Sequence, residues 1–166
     1  MTKGFGDFLL RALPLGLLLM TGQGLVQAQC IPGGLAVVVN KANSTESLSI
    51  AQLRRLILGD VRTWPDRKPV VLVSREATSE VFKCVLSAIV RMTDAEYRRY
   101  IVSAEFRGGD PLAVQTVNSG ALAAKVVTGS AGSIAVVGAS EVPAITGTVR
   151  VVRINGKEPG EAGYPL

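Results

Sequence analysis

Arg75, Thr78 and Ser79 stand within the stretch VVLVSREATSEVF (residues 70–82), where an apolar run ends in a cation and hydroxyls lead into a new apolar pattern. A strand ending at an arginine and feeding a helix would bring the guanidinium fork, two hydroxyls and the unpaired amides of a helix N-terminus to one point. That combination holds an oxyanion. In an open α/β sheet, ligands lie outside the carboxyl ends of the strands, where this loop belongs. The same residues also fit a purely structural role. Thr78 or Ser79 would then cap the helix while Arg75 pairs with Glu76 or Glu80, two carboxylates that would repel an anion. The local sequence leaves both readings open.

Other chemistry is poorly represented. The chain contains no histidine, which removes Ser-His-Asp and Cys-His catalysis and the commonest metal ligand. Trp64-Pro65-Asp66 resembles the acid loop of tyrosine phosphatases, but their nucleophile motif needs a cysteine with an arginine six positions later. Six positions after Cys84 stands Val90. No pair of carboxylates suggests acid–base work, so the chain is expected not to be an enzyme and to need no cofactor or metal. The basic excess is mild, with Arg54-Arg55, Arg67-Lys68 and Arg98-Arg99 as its close pairs, and aromatics make up 5% of the chain. Nucleic-acid binding by a basic stripe and base stacking is therefore not expected.

The elements that must position these residues alternate in type. Gly34 to Asn40 reads as a buried strand. Ser49-Ile50-Ala51-Gln52 is a capping box opening a helix with Ile50, Leu53, Leu56 and Ile57 on one face and Gly59 as its stop. A turn at Trp64-Pro65-Asp66 leads to a strand over Val70–Val73, then a helix over Ser79–Ile89. Thr93-Asp94-Ala95-Glu96 opens a third helix through about Phe106, which Gly108-Gly109-Asp110-Pro111 breaks. Asn118-Ser119 caps a fourth helix along Leu122–Val127. Strands follow over Ser133–Val137 and Val149–Ile154, the second ending at Asn155-Gly156, and the tail from about residue 156 is expected to be loosely held. Strands alternating with helices indicate a single α/β domain, helices packed on a parallel or mixed sheet.

Residues 1–28 read as a secretory signal peptide. Lys3 and Arg11 flank the start, Ala12–Met20 is apolar throughout, and Val26-Gln27-Ala28 supplies the small residues of a cleavage site. Its nine unbroken apolar residues fall short of the ~20 that span a bilayer. Export to a bacterial periplasm is expected, with one domain over 29–166 and no membrane span in the mature chain. That mature chain holds 16 basic and 12 acidic residues. Cys30 and Cys84, in an oxidising compartment, either pair as a disulfide or, in the rival reading, Cys30 is acylated. Gln27-Ala28-Gln29 poorly matches the small residues expected before a lipidated cysteine.

The order Val37-Val38-Val39-Asn40, the capped helix ending Leu58-Gly59, Trp64-Pro65-Asp66, Arg75 and Ser79 resembles the phosphate-binding proteins of bacterial ABC importers. The resemblance continues through Phe82, Gly108-Gly109 with Pro111, and Gly132-Ser133-Ile134, covering most of residues 35–140. It implies one lobe of the type II periplasmic binding-protein fold, with Arg75, Thr78 and Ser79 as oxyanion ligands. The implied partners are phosphate or a similar oxyanion, weakly bound, and an ABC permease or other envelope protein. The departures are specific. The family follows its arginine with a glycine-serine-glycine-threonine turn, whereas here Thr78 and Glu80 replace the glycines and Val81 the threonine. The later glycine-tyrosine pair is Ala135-Val136. The first lobe, with its own phosphate contacts, is expected to have no counterpart, and a lone lobe cannot surround and dehydrate a dianion. The alternative is an envelope interaction or sensory module that keeps the fold and has lost the ligand.

Overall fold

The computed structural model describes residues 30–106 and 112–166; the expected signal segment and the Gly108–Pro111 breaker lie outside them. Six strands form one mixed sheet: β1 (Leu35–Asn40), β2 (Ser47–Leu48), β3 (Val71–Arg75), β4 (Ala113–Val117), β5 (Ser133–Gly138) and β6 (Val149–Ile154). Their order across the sheet is β2-β6-β1-β5-β3-β4. Central β1 runs antiparallel to both neighbours, placing Val37 between Val136 and Val152. On the far side β5, β3 and β4 are mutually parallel, with Leu72 beside Ile134 and Val114.

The helices are α1 (Ile50–Ile57), α2 (Glu80–Cys84), α3 (Asp94–Phe106), α4 (Gly120–Gly129) and α5 (Val142–Ile145). Strand alternation sorts the apolar residues into two layers. Leu35, Val37, Val39, Leu72, Ile134 and Val136 pack with α1, α2 and the turn after it. Ala36, Val38, Val73, Ala135 and Val137 pack with Ala123, Ala124 and Val127 of α4 and Ile145 of α5. The small residues on α4 let that helix approach the sheet closely. β1 is buried on both faces, which accounts for its continuous apolar sequence.

The Ser49–Gln52 capping box forms, Ser49 Oγ accepting from the Gln52 N–H and Gln52 Oε1 from the Ser49 N–H. Trp64 is buried and donates its indole N–H to the Gly132 carbonyl at 2.8 Å, a structural use of the Trp-Pro-Asp turn. A Cβ at Gly132 would collide with the Pro69 carbonyl, so glycine is required there.

Some boundaries differ from expectation. The strand over Val70–Val73 extends through Arg75, and the helix over Ser79–Ile89 changes from α to π at Val85–Val90 before Arg91 closes it in the left-handed region at φ 57°. β4 was not foreseen; its Ala-Val-Gln-Thr-Val sequence shows no clean apolar alternation because it is an edge strand. The tail is not loose. Tyr164 and Leu166 are buried in the larger apolar layer, where apolar burial outweighs a glycine- and proline-rich composition. Cys30 and Cys84 form a disulfide with Cα atoms 5.6 Å apart.

Candidate functional site

β3 delivers Arg75 to the carboxyl end of the sheet. Leu72 faces the layer of α1 and α2 while Val73 faces that of α4, so alternation turns Arg75 toward α4 and away from α2. The Arg75 side chain there is nine-tenths buried. Its Nη1 donates to both oxygens of Glu141 at 3.0 and 2.9 Å, and its Nη2 donates to the Asn118 carbonyl at 2.9 Å. Its Nε is buried without a hydrogen-bond partner.

Glu141 arrives from the neighbouring parallel strand, on the 3-10 turn Ala139–Glu141 that follows β5. Its Oε1 accepts from the Gly120 N–H at 3.0 Å and its Oε2 from the Gly138 N–H at 2.9 Å. One carboxylate therefore receives a guanidinium and two amides, one of them the first residue of α4, where the helix end is positive. Glycine at 120 is what permits this. A Cβ there would lie 2.6 Å from the Glu141 Cδ. Ser119 caps α4, its hydroxyl accepting from the Leu122 N–H. Burial works to raise the Glu141 pKa, but the hydrogen bonds from the Gly138 amide, Arg75 and the Gly120 amide outweigh it. The carboxyl is held below its ordinary value.

The geometry is that of an oxyanion seat whose occupant is a side chain of the same protein. A separate small cavity of about 20 Å³ lies on the α1 and α2 face of β3, lined by Ile57, Leu72, Phe82 and Val85, and is not part of this seat.

Thr78 and Ser79 lie apart from this seat. Ser79 caps α2, its hydroxyl accepting from the Phe82 N–H at 3.1 Å. Thr78 is exposed. Glu80 is exposed and pairs with Lys83 at 2.7 Å. The structure therefore joins Arg75 to the N-terminus of α4 rather than that of α2, and the carboxylate it pairs with is neither Glu76 nor Glu80. Sequence reasoning missed Glu141, Gly120 and Gly138. The available signals were a glycine directly after the Ser119 cap and a glutamate three residues beyond Gly138, the spacing at which a side chain returns to an amide.

Among the described residues no helix is long and apolar enough to cross a membrane. No family model and no curated protein matches the chain. Solved structures do match. An ABC-type phosphate transport receptor from Vibrio cholerae superposes with TM-score 0.59 at 20% identity, over 76% of this chain and 48% of that one. A phosphate ABC transporter substrate-binding protein from Clostridium perfringens, solved with bound phosphate, gives 0.57 at 22% identity over 76% and 46%. PstS from Borrelia burgdorferi gives 0.61 at 11% identity over 75% and 48%. The fold is thus that of one lobe of the phosphate-binding receptors, and the chain spans less than half the length of these proteins.

Proposed function

We propose that this chain is an exported envelope module that keeps the phosphate-receptor lobe and uses it for interaction or sensing, without catalysis and without carrying free phosphate. The observation that carries this reading is the Glu141 carboxylate in the seat formed by Arg75 and the Gly120 and Gly138 amides. An incoming phosphate would have to displace a carboxylate already held by charge-assisted bonds. The Cys30–Cys84 disulfide supports a periplasmic location.

A second reading keeps weak oxyanion binding at Arg75 and the Gly120 and Gly138 amides, in cooperation with an ABC permease. It is favoured by the partnerless Arg75 Nε and by the Glu141 side chain, which is about a third exposed and sits on a short turn that could release it.

Calorimetric titration with phosphate separates the two. The first reading predicts no heat from the native protein at millimolar phosphate and a weak signal from Glu141→Ala, which empties the seat. Saturable heat from the native protein that disappears in Arg75→Ala would overturn it in favour of the second.

A further inference from the structure

The edge of the sheet at β4 points to a second function for the surface. All of β4 except Val117 is exposed, and the strand carries no charge and no proline. It lacks the devices that normally keep an edge strand from pairing with another chain. Beside it lies a groove of about 540 Å³ lined by Leu58, Tyr97, Ile101, Val102, Leu112 and Val114. The helix on its other side, α3, has no fully buried residue among those described, an unusual state for a helix of 13 residues. Val102, Phe106 and Val114 are 51%, 86% and 48% exposed, so three of the four large apolar side chains exposed among the described residues lie on these two elements.

We propose that this face is an interface between two copies of the chain, formed by antiparallel pairing of β4 with β4 about a two-fold axis at Gln115. The hydrogen-bond pattern fixes the register. The Val117 carbonyl accepts from the Glu76 N–H at the end of β3, so Ala113, Gln115 and Val117 direct their backbone groups inward to β3. Val114 and Thr116 then direct theirs outward. With Gln115 opposite its own symmetry mate, Val114 of each copy meets Thr116 of the other as a hydrogen-bonded pair, and Gln115 forms a close non-hydrogen-bonded pair. The strand is self-complementary in this arrangement, as a two-fold interface requires. Val114 and Thr116 both line the groove, so the grooves of the two copies become continuous above the seam.

Charge favours a second copy over an acidic peptide. The guanidiniums lining the groove are engaged within the chain, Arg98 with Asp94 at 2.7 Å and Arg62 with the Gly59 carbonyl at 3.0 Å. Arg62 keeps its charge, since a carbonyl does not neutralise it, but one guanidinium is a weak lure for an acidic guest, and the uncharged β4 strand meets its copy without like-charge repulsion. Area sets the strength. Five paired residues make a strip only ~17 Å long, well under the ~800 Å² per partner of a stable interface. The apolar face of α3 must supply the remainder, so the dimer is a weak, reversible one.

Sedimentation of the purified chain from about 5 to 500 μM tests this. A monomer–dimer equilibrium is expected, weakened tenfold or more by Val114→Lys, an exposed site where lysine leaves the fold intact. Gln115→Cys is expected to cross-link to itself under mild oxidation, since the opposed Cα atoms fall within disulfide reach. A monomer throughout the range overturns the proposal, as does a dimer indifferent to Val114→Lys. A dimer that Gln115→Cys fails to trap overturns the register. Neither Arg75 nor Glu141 takes part, so failure here leaves the reading of the anion seat untouched.

Discussion

Arg75 and Glu141 solve each other's burial problem. An arginine side chain nine-tenths out of water needs a partner, and the carboxylate gains two amides besides. Removing one member of such a pair costs more than the pair contributes, because the other charge is left buried. Glu141 is partly exposed, which moderates the effect. Glu141→Gln is expected to lower the unfolding free energy by about 2 kcal/mol in urea titration. The pH dependence has a definite sign. Because the folded-state pKa of Glu141 is depressed, its contribution is fully present above the unfolded value near 4.5. It is lost as pH falls through the folded value. Native protein should lose stability below about pH 4.5 more steeply than Glu141→Gln; parallel curves would show that the pair does not stabilise the fold.

Between elements, the decisive contact is the approach of the Ala139–Glu141 turn to the N-terminus of α4, and Gly120 governs it. A Cβ at 2.6 Å from Glu141 Cδ must either expel the carboxylate or shift the helix end. Gly120→Ala is therefore expected to destabilise by roughly 1–3 kcal/mol. In a Glu141→Ala background most of that penalty should vanish, because the obstructing atoms are gone. A double-mutant cycle in thermal or urea unfolding measures the coupling; simple additivity would mean that the two residues do not constrain one another. This contact also shows where sequence reasoning stopped. The α/β class, the Ser49–Gln52 box, the Ser119 cap and the buried strands β1, β5 and β6 were legible because caps and apolar runs are local signals. The seat was not, because it joins residues 66 positions apart, Arg75 and Glu141. The nearer glutamates, 76 and 80, were the obvious candidates in one dimension. Alternation along β3 sends the guanidinium to the opposite face, a fact that emerges only once Leu72 and Val73 are assigned to their layers.

On the scale of the whole molecule, the disulfide ties the start of the described chain to the layer of α2 and reaches the anion seat indirectly. From Cys30 the chain runs to Gly34, whose carbonyl accepts from the Ala139 N–H at 2.9 Å. Gly33 approaches Ala139 and Ser140, and a Cβ at Gly138 would lie 3.7 Å from Ile31. The segment pinned by Cys30 therefore braces the turn that carries Glu141. With the cysteines 54 positions apart, loss of the bridge is expected to cost about 4 kcal/mol through the entropy of the unfolded chain. Cys30→Ser is the cleaner substitution, since Cys30 is exposed and Cys84 is buried. The entropic cost falls on global unfolding and should slow or speed no amide selectively. Loss of the brace adds a local effect, so hydrogen exchange at Gly138–Glu141 should accelerate beyond the global change while the central residues of β1 follow it. Uniform acceleration across both segments would mean that the bridge only restrains the unfolded chain and that the turn holds Glu141 in the seat without it.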